Sequence, residues 1–238
     1  MGTNKLRHLL KDHPSMIGRD RFYELLSRHD MLIRRRKKYR YTTQSNHIYK
    51  KHPNRIKGIP PRSTNQIWVS DITYVKIGHR DYYLSLITDA FSRKVVGYTL
   101  ARSLEAKHSI KALKMALENE GTPKIHHSDR GIQYCCHPYT NILRDSGVKI
   151  SMSRKGDPLE NAIAERINGI IKNEYLTYRE LTQENYKEQI KEVIDLYNQE
   201  RPHLSCQMKT PNEVHLSENN PLTTLIRNKY KMSTLVSN

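Results

Sequence analysis

Several acidic side chains in this sequence stand where an ordinary surface acid would not. Asp71 lies inside the apolar run Ile67-Trp68-Val69-Ser70-Asp71-Ile72-Thr73-Tyr74-Val75. Asp129 directly follows the short run 124–128, and Glu165 is surrounded by Ala162, Ile163, Ala164 and Ile167. A carboxylate in such company needs a partner or a function, because burying an unpaired charge is expensive. Brought together, three carboxylates repel one another unless they share cations, and a hard cation such as Mg2+ or Mn2+ seeks such oxygen ligands. Two ions roughly 3.5–4 Å apart suit in-line displacement at phosphorus, where nucleophile, phosphate and leaving oxygen crowd negative charge into one place. Residue types alone leave rivals open. Asp81 and Asp89 compete with Asp71, and Asp157 and Glu160 with Glu165. Taken singly, Asp71 can cap a turn, Asp129 can sit in a turn or pair with Arg130, and Glu165 can be a solvated helix charge.

The elements that must position these acids follow from periodicity. Residues 67–75 alternate β-branched and aromatic types, as a strand does, and 82–88 and 94–100 read as two further strands joined by tight turns at 78–80 and 92–93. Together they predict an antiparallel meander. Ala106, Ile110, Leu113 and Leu117 recur at helical spacing up to Gly121. A short strand at 124–128, a helix around 139–145 and a strand at 148–152 follow. Beyond the Gly- and Pro-containing loop 153–158, helices are expected from about Leu159 to Tyr175 and from about Thr182 to Glu200, the second ended by Pro202. This order predicts an α/β domain of the ribonuclease-H-like kind, a mixed sheet flanked by helices. If the first and fourth strands are neighbours, Asp71 and Asp129 lie side by side and the helix from 159 can bring Glu165 over both. His126 and His127 adjoin Asp129, but successive strand residues face opposite sides. Only His127 is expected to support the site, and His126 and His203 are read as structural.

The charge is unevenly distributed. The chain of 238 residues carries a formal charge of +17, and residues 1–66 hold 17 basic against 4 acidic side chains, leaving 24 and 20 for the remainder. A basic front joined to a nearly balanced body points to nucleic-acid contact. Leu6, Leu9 and Leu10 form one short helical stripe, and a second helix opens at Gly18 with Arg19 and Arg21 outward, a helix-turn-helix-like pair. The run Arg34, Arg35, Arg36, Lys37 and Lys38 follows as a cationic arm. The resulting division is a partial DNA-binding segment over 1–41, a polar linker over 42–64, a catalytic domain over 65–215 and a tail over 216–238. No run of 18 or more apolar residues exists, so no membrane span is expected. There is no secretory signal pattern. Three cysteines, two of them adjacent, give neither a disulfide framework nor metal-type spacing, which fits a reducing cytoplasm.

The rivalry among the acids is resolved by resemblance. The segments 68–74 around Asp71, 127–134 around Asp129 and 161–165 ending at Glu165 resemble the three catalytic blocks of DDE transposases and retroviral-type integrases. The similarity is greatest to the second-frame product (OrfB) of IS-three-type insertion sequences. The 35 residues between Asp129 and Glu165 match the family's D–35–E spacing. Ser151–Gly156, Tyr197-Asn198, Arg201-Pro202-His203 and Thr210-Pro211 match further family segments. The resemblance implies Asp71, Asp129 and Glu165 as ligands of two Mg2+ or Mn2+ ions, and metal-dependent cleavage and strand transfer at the ends of a mobile element. It also implies a basic residue at Lys172, which a regular helix returns to within about 20° of the Glu165 face. Lys172, Arg154 and Lys155 are expected on backbone phosphates, with Arg19, Arg21 and the 34–38 run as further DNA contacts. The implied partners are double-stranded DNA (terminal inverted repeats and target), further copies of the chain on that DNA, and an upstream-frame (OrfA) product or fusion. The setting is a bacterial cytoplasm, at the nucleoid when DNA-bound. The sequence departs from the family in Arg166-Ile167-Asn168 after the glutamate and in Asp157-Pro158. A non-catalytic DNA-binding regulator or decayed copy, and a hybrid-directed nuclease of the same fold, are the alternatives. Three acids kept at working spacing speak against the first, and the basic N-terminal arm and the 197–203 segment against the second.

Overall fold

The computed structural model describes residues 2–32, 47–154 and 161–219. Its centre is a five-stranded sheet of β1 (Ile67–Ile77), β2 (Arg80–Asp89), β3 (Val95–Ala101), β4 (Ile125–Ser128) and β5 (Lys149–Met152), in the order β3-β2-β1-β4-β5. The expected meander forms β1 to β3, antiparallel throughout. Ile77 pairs with Arg80, so only Gly78 and His79 make the first turn, and Gly78 takes the positive φ of 57° that such a turn needs. β1 and β4 are parallel neighbours, as are β4 and β5, and helices provide the crossovers.

Alternation along the strands assigns the two faces of the sheet. Trp68 and Ile87 point to α3 (Ala106–Glu120) and α5 (His137–Asp145), in a core with Leu113, Tyr139 and Leu143. Val75, Leu84 and Leu86 point the other way, onto Ile167 of α6 (Ala162–Ile170) and Ile190, Val193, Ile194 and Tyr197 of α7 (Tyr186–Glu200). The result is three layers, helix on sheet on helix. α3 lies very close to β3: a Cβ built on Gly97 would come 2.3 Å from the Ala112 carbonyl and 2.8 Å from Ala116 Cβ. Glycine there is what allows the approach.

Element boundaries differ in places from the sequence pattern. α7 starts at Tyr186 rather than Thr182, with Asn185 at its N-cap, because residues 182–185 form a separate turn closed by reciprocal bonds (Thr182 N to Asn185 Oδ1 2.9 Å, Asn185 N to Thr182 Oγ1 3.3 Å). The helix expected over 159–175 is α-helical over α6 and then widens into a π-helical turn, Ile171–Tyr175. The short α4 (Ile132–Cys135) carries no clear sequence signal, while α8 (Pro211–Asn219) opens on a capping box, Thr210-Pro211-Asn212-Glu213, that a reading of periodicity alone passes over (Thr210 N to Glu213 Oε2 2.7 Å, Glu213 N to Thr210 Oγ1 3.3 Å). His215 of α8 joins Ser92 and Glu120 in a buried polar network. Two N-terminal helices, α1 (Thr3–Leu9) and α2 (Arg19–Arg28), match the expected pair, α2 burying Phe22 and Leu26. Residues 47–57, expected within a linker, lie along β5: Met152 N donates to Pro53 O (3.4 Å) and Arg55 N to Ser151 Oγ (2.9 Å).

Candidate active site

The parallel pairing of β1 with β4 is what brings two of the acids together. Val69 stands opposite His127, and continuing that register by two residues sets Asp71 opposite Asp129. Both belong to the strand positions that face α6, since Ile67, Val69 and Ile125 on the same parity pack against Ala164 and Ile163. α6 turns Glu165 toward them from the opposite layer.

Two of these acids are shifted by their surroundings. Burial raises the pKa of Asp71 to about 7, reinforced by the Asp129 carboxylate and more weakly by Glu165. Glu165, more exposed on the rim, is raised as well, first by partial burial and then by Asp129. Among the described residues, no three His, Cys, Asp or Glu side chains lie close enough together to share one ion. Of its two acidic neighbours, Asp129 acts on Asp71 more strongly than Glu165 does.

Asp129 sits in a tight turn. Its Oδ1 accepts the Gly131 N–H at 2.9 Å, and a Cβ on Gly131 would come within 3.0 Å of that same oxygen. Two asparagines tie α6 to β1 on either side of the acids. Asn161 Nδ2 donates to the Ser70 carbonyl (3.1 Å), and Asn168 Nδ2 donates to Asp71 Oδ2 (2.8 Å). Both are buried, and their side-chain oxygens have no hydrogen-bond partner. Asn161, Glu165 and Asn168 are spaced i, i+4 and i+7, one stripe of the helix facing the sheet. The Asn168 bond favours the charged form of Asp71 and partly offsets its burial. Sequence reasoning missed both asparagines; the helical spacing about Glu165 was the signal that could have found them.

The rival acids separate by environment. Asp89 is fully buried, and its carboxylate accepts from the backbone of Asn65 (2.7 Å), Phe91 (3.1 Å) and Ser92 (2.7 Å) and from Ser92 Oγ (2.9 Å). It organises the turn from β2 to β3 rather than facing α6. Asp81 is exposed at the start of β2. Asp157 and Glu160 lie outside the described residues. His127 is buried, on the Asp129 parity, with Nδ1 2.8 Å from Ser151 Oγ, and His126 on the opposite face bonds Tyr139 (3.0 Å).

Of the expected cations, Lys172 falls in the π-helical turn, its Nζ 4.4 Å from the centre of the Tyr74 ring, three residues along β1 from Asp71. Arg154 is exposed just past β5, and Arg19 and Arg21 are exposed on α2, where Arg19 pairs with Asp20 (2.9 Å). Lys155, Arg34, Arg35, Arg36, Lys37 and Lys38 lie outside the described residues.

Comparison with known proteins agrees with this architecture. The integrase core domain family matches residues 61–158 and, in a second form, residues 146–211. The 31 kDa protein of insertion element IS600 from Shigella sonnei is 38% identical over 207 residues, covering 85% of this chain and 76% of that protein. The transposase for insertion sequence element IS904 from Lactococcus lactis is 32% identical over 170 residues, covering 68% and 66%. Among solved structures, the HTLV-2 integrase catalytic core domain in complex with magnesium superposes with a TM-score of 0.54 at 24% identity, over 64% of this chain and 97% of that one. A chain of a simian T-cell lymphotropic virus intasome, solved in complex with PP2A regulatory subunit B56 gamma, gives 0.59 at 19% identity, over 92% and 76%. At such identities these two show the ribonuclease-H-like fold alone. The sequence relatives carry more: the chain belongs to the integrase-core transposases of insertion elements, a family of DDE-type polynucleotidyl transferases.

Proposed function

We propose that Asp71, Asp129 and Glu165 hold two divalent ions, Mg2+ or Mn2+, and that the chain cleaves and joins DNA at the ends of its element. The observation that carries this reading is the juxtaposition of Asp71 and Asp129 at the end of the β1–β4 ladder, both on the strand positions that face α6. The residues fit such ions: the donors are all carboxylate oxygens, and the elevated Asp71 pKa marks a site that a cation would relieve. Bound there, the ions would supply the positive charge that activates a nucleophile and stabilises a leaving oxygen.

The chain's own residues orient the reaction. Asn168 fixes one oxygen of Asp71, Asn161 anchors the start of α6, and the Gly131 amide fixes one oxygen of Asp129, so the carboxylates are pre-positioned. Hydrolysis at the element's end forms a bond from water oxygen to phosphorus and breaks the bond to the 3′ oxygen, leaving a 3′-OH. That 3′-OH then attacks a target phosphodiester, and the target strand's own 3′ oxygen departs. Lys172, Arg154 and Lys155 contact backbone phosphates near the site, and Arg19, Arg21 and Arg34, Arg35, Arg36, Lys37 and Lys38 hold DNA further out. The substrates are double-stranded terminal inverted repeats and target DNA. The working form is a homo-oligomer on DNA, joined by an upstream-frame product or fusion, in the bacterial cytoplasm at the nucleoid. The corresponding domains are 1–41, the linker 42–64, the catalytic domain 65–215 and the tail 216–238. No helix among the described residues is long and apolar enough to cross a membrane.

The test is Asp129→Asn in a Mg2+-dependent cleavage assay on terminal inverted-repeat DNA. Losing a metal ligand should lower the rate more than the ~10–100-fold typical of residues that merely support ligands. Undiminished cleavage would reject the assignment.

A further inference from the structure

Asp129 lies just where the sheet stops supporting the chain. The β1 ladder ends at His127 and the β5 ladder at Ser128, so the peptide groups of 129–131 need other partners. The peptide linking Arg130 to Gly131 is held at both ends. Its N–H donates to Asp129 Oδ1 at 2.9 Å, and its C=O accepts from His47 Nε2 at 2.9 Å. His47 thus bonds one side of a rigid plane whose other side fixes the acid.

His47 comes from residues 47–57, which reach the β4 segment a second time through Ser151 of β5. Arg55 N donates to Ser151 Oγ (2.9 Å), and Ser151 Oγ lies 2.8 Å from His127 Nδ1, two residues before Asp129. Aromatic packing holds the near end of this strap: His47 lies 5.7 Å from Tyr49, and Tyr49 stacks edge-on against His137 at 5.4 Å. The same stretch of chain is preceded in sequence by the basic run 34–40.

We infer that His47 is a positioning residue for Asp129, acting through the Arg130–Gly131 peptide, and that residues 47–57 form a strap bracketing the acid from both sides. The bond to the carbonyl removes the freedom of that peptide to rotate and polarises its N–H toward the carboxylate. Freed of the strap, the plane can turn and release the Asp129 oxygen from its set orientation. This role for His47 rests on the proposed metal-binding role of Asp129.

Three forms of the full chain test it: wild type, His47→Ala and His47→Gln, whose amide can donate to the same carbonyl. The measurements are Mn2+ affinity by titration calorimetry, melting temperature in EDTA, and kcat and KM for cleavage of a DNA end. Expected for His47→Ala is about a 10-fold weaker Mn2+ affinity and a similar fall in kcat, as when a group orienting a ligand is removed. KM for DNA and the melting temperature in EDTA should stay near wild type, and His47→Gln should regain most of the affinity. Unchanged Mn2+ affinity in His47→Ala overturns the positioning role. So does a loss that follows a lowered melting temperature and that His47→Gln does not recover, or a raised KM with kcat and affinity intact. Wild-type protein that binds no Mn2+ would instead remove the metal-site reading itself.

Discussion

Asp71 holds its proton at a pH where an ordinary aspartate has long lost it, because burial and the Asp129 charge both penalise its ionised form. Its folded-state pKa of about 7 lies above the ordinary 3.8, so the fold favours the neutral acid. The stabilisation from this group is full below about pH 4 and is lost as pH rises through 7. Asp71→Asn should therefore raise the melting temperature of the metal-free protein at pH 8, by about 1–3 kcal/mol of stability once its half-buried setting is allowed for, and hardly change it at pH 4. Thermal melts in EDTA at the two pH values check this, and a uniform shift at both would contradict it. The same substitution should abolish the stabilisation that added Mg2+ gives the wild type. Asn168→Leu removes a side-chain donor to Asp71, so the acid should titrate higher still in a pH series of melts, the direction its hydrogen bond now opposes.

At the scale of elements, the site depends on how closely the layers pack. Gly97 on β3 lets α3 approach to a distance that any Cβ would block. Gly97→Ala should destabilise the fold by roughly 1–3 kcal/mol through overpacking, since the clash is with backbone, which cannot swing aside. Chemical denaturation would measure it, and a neutral effect would mean that α3 is free to shift. The helices themselves were legible where their periodicity was strong: Ala106, Ile110, Leu113 and Leu117 marked α3, and the run from Tyr186 to Tyr197 marked α7. The π-helical turn at Ile171–Tyr175 was not, because nothing in its side-chain spacing distinguishes it from a regular helix. Its consequence is local: Lys172 is carried on a wider turn and meets the Tyr74 ring.

For the whole molecule, the formal charge of +17 is concentrated before residue 66, while the acids lie in the nearly balanced body. Replacing Arg34, Arg35, Arg36, Lys37 and Lys38 by glutamine should reduce the salt dependence of DNA binding, by ~0.9 in log–log slope for each phosphate that is no longer neutralised. Anisotropy titrations across salt concentrations read that slope, and an unchanged slope would mean the run does not touch phosphate. The sequence by itself determined the order of the five strands and of the strongly periodic helices, because alternation and helical repeat are local, and it singled out Asp71, Asp129 and Glu165 through their flanking residues and the interval between the last two. It could not separate Asp71 from Asp89 on residue type, since both sit among apolar neighbours. Tertiary structure decided that: Asp89 spends its carboxylate on three backbone amides and a hydroxyl within one corner, while Asp71 faces a second acid. Structure alone also brought Asn168 to Asp71 and His47 to the peptide beside Asp129, pairings made across 97 and 83 residues of chain. Such pairings leave no local pattern, because they depend on which strands become neighbours, and that choice is made only when the two faces of the sheet are covered.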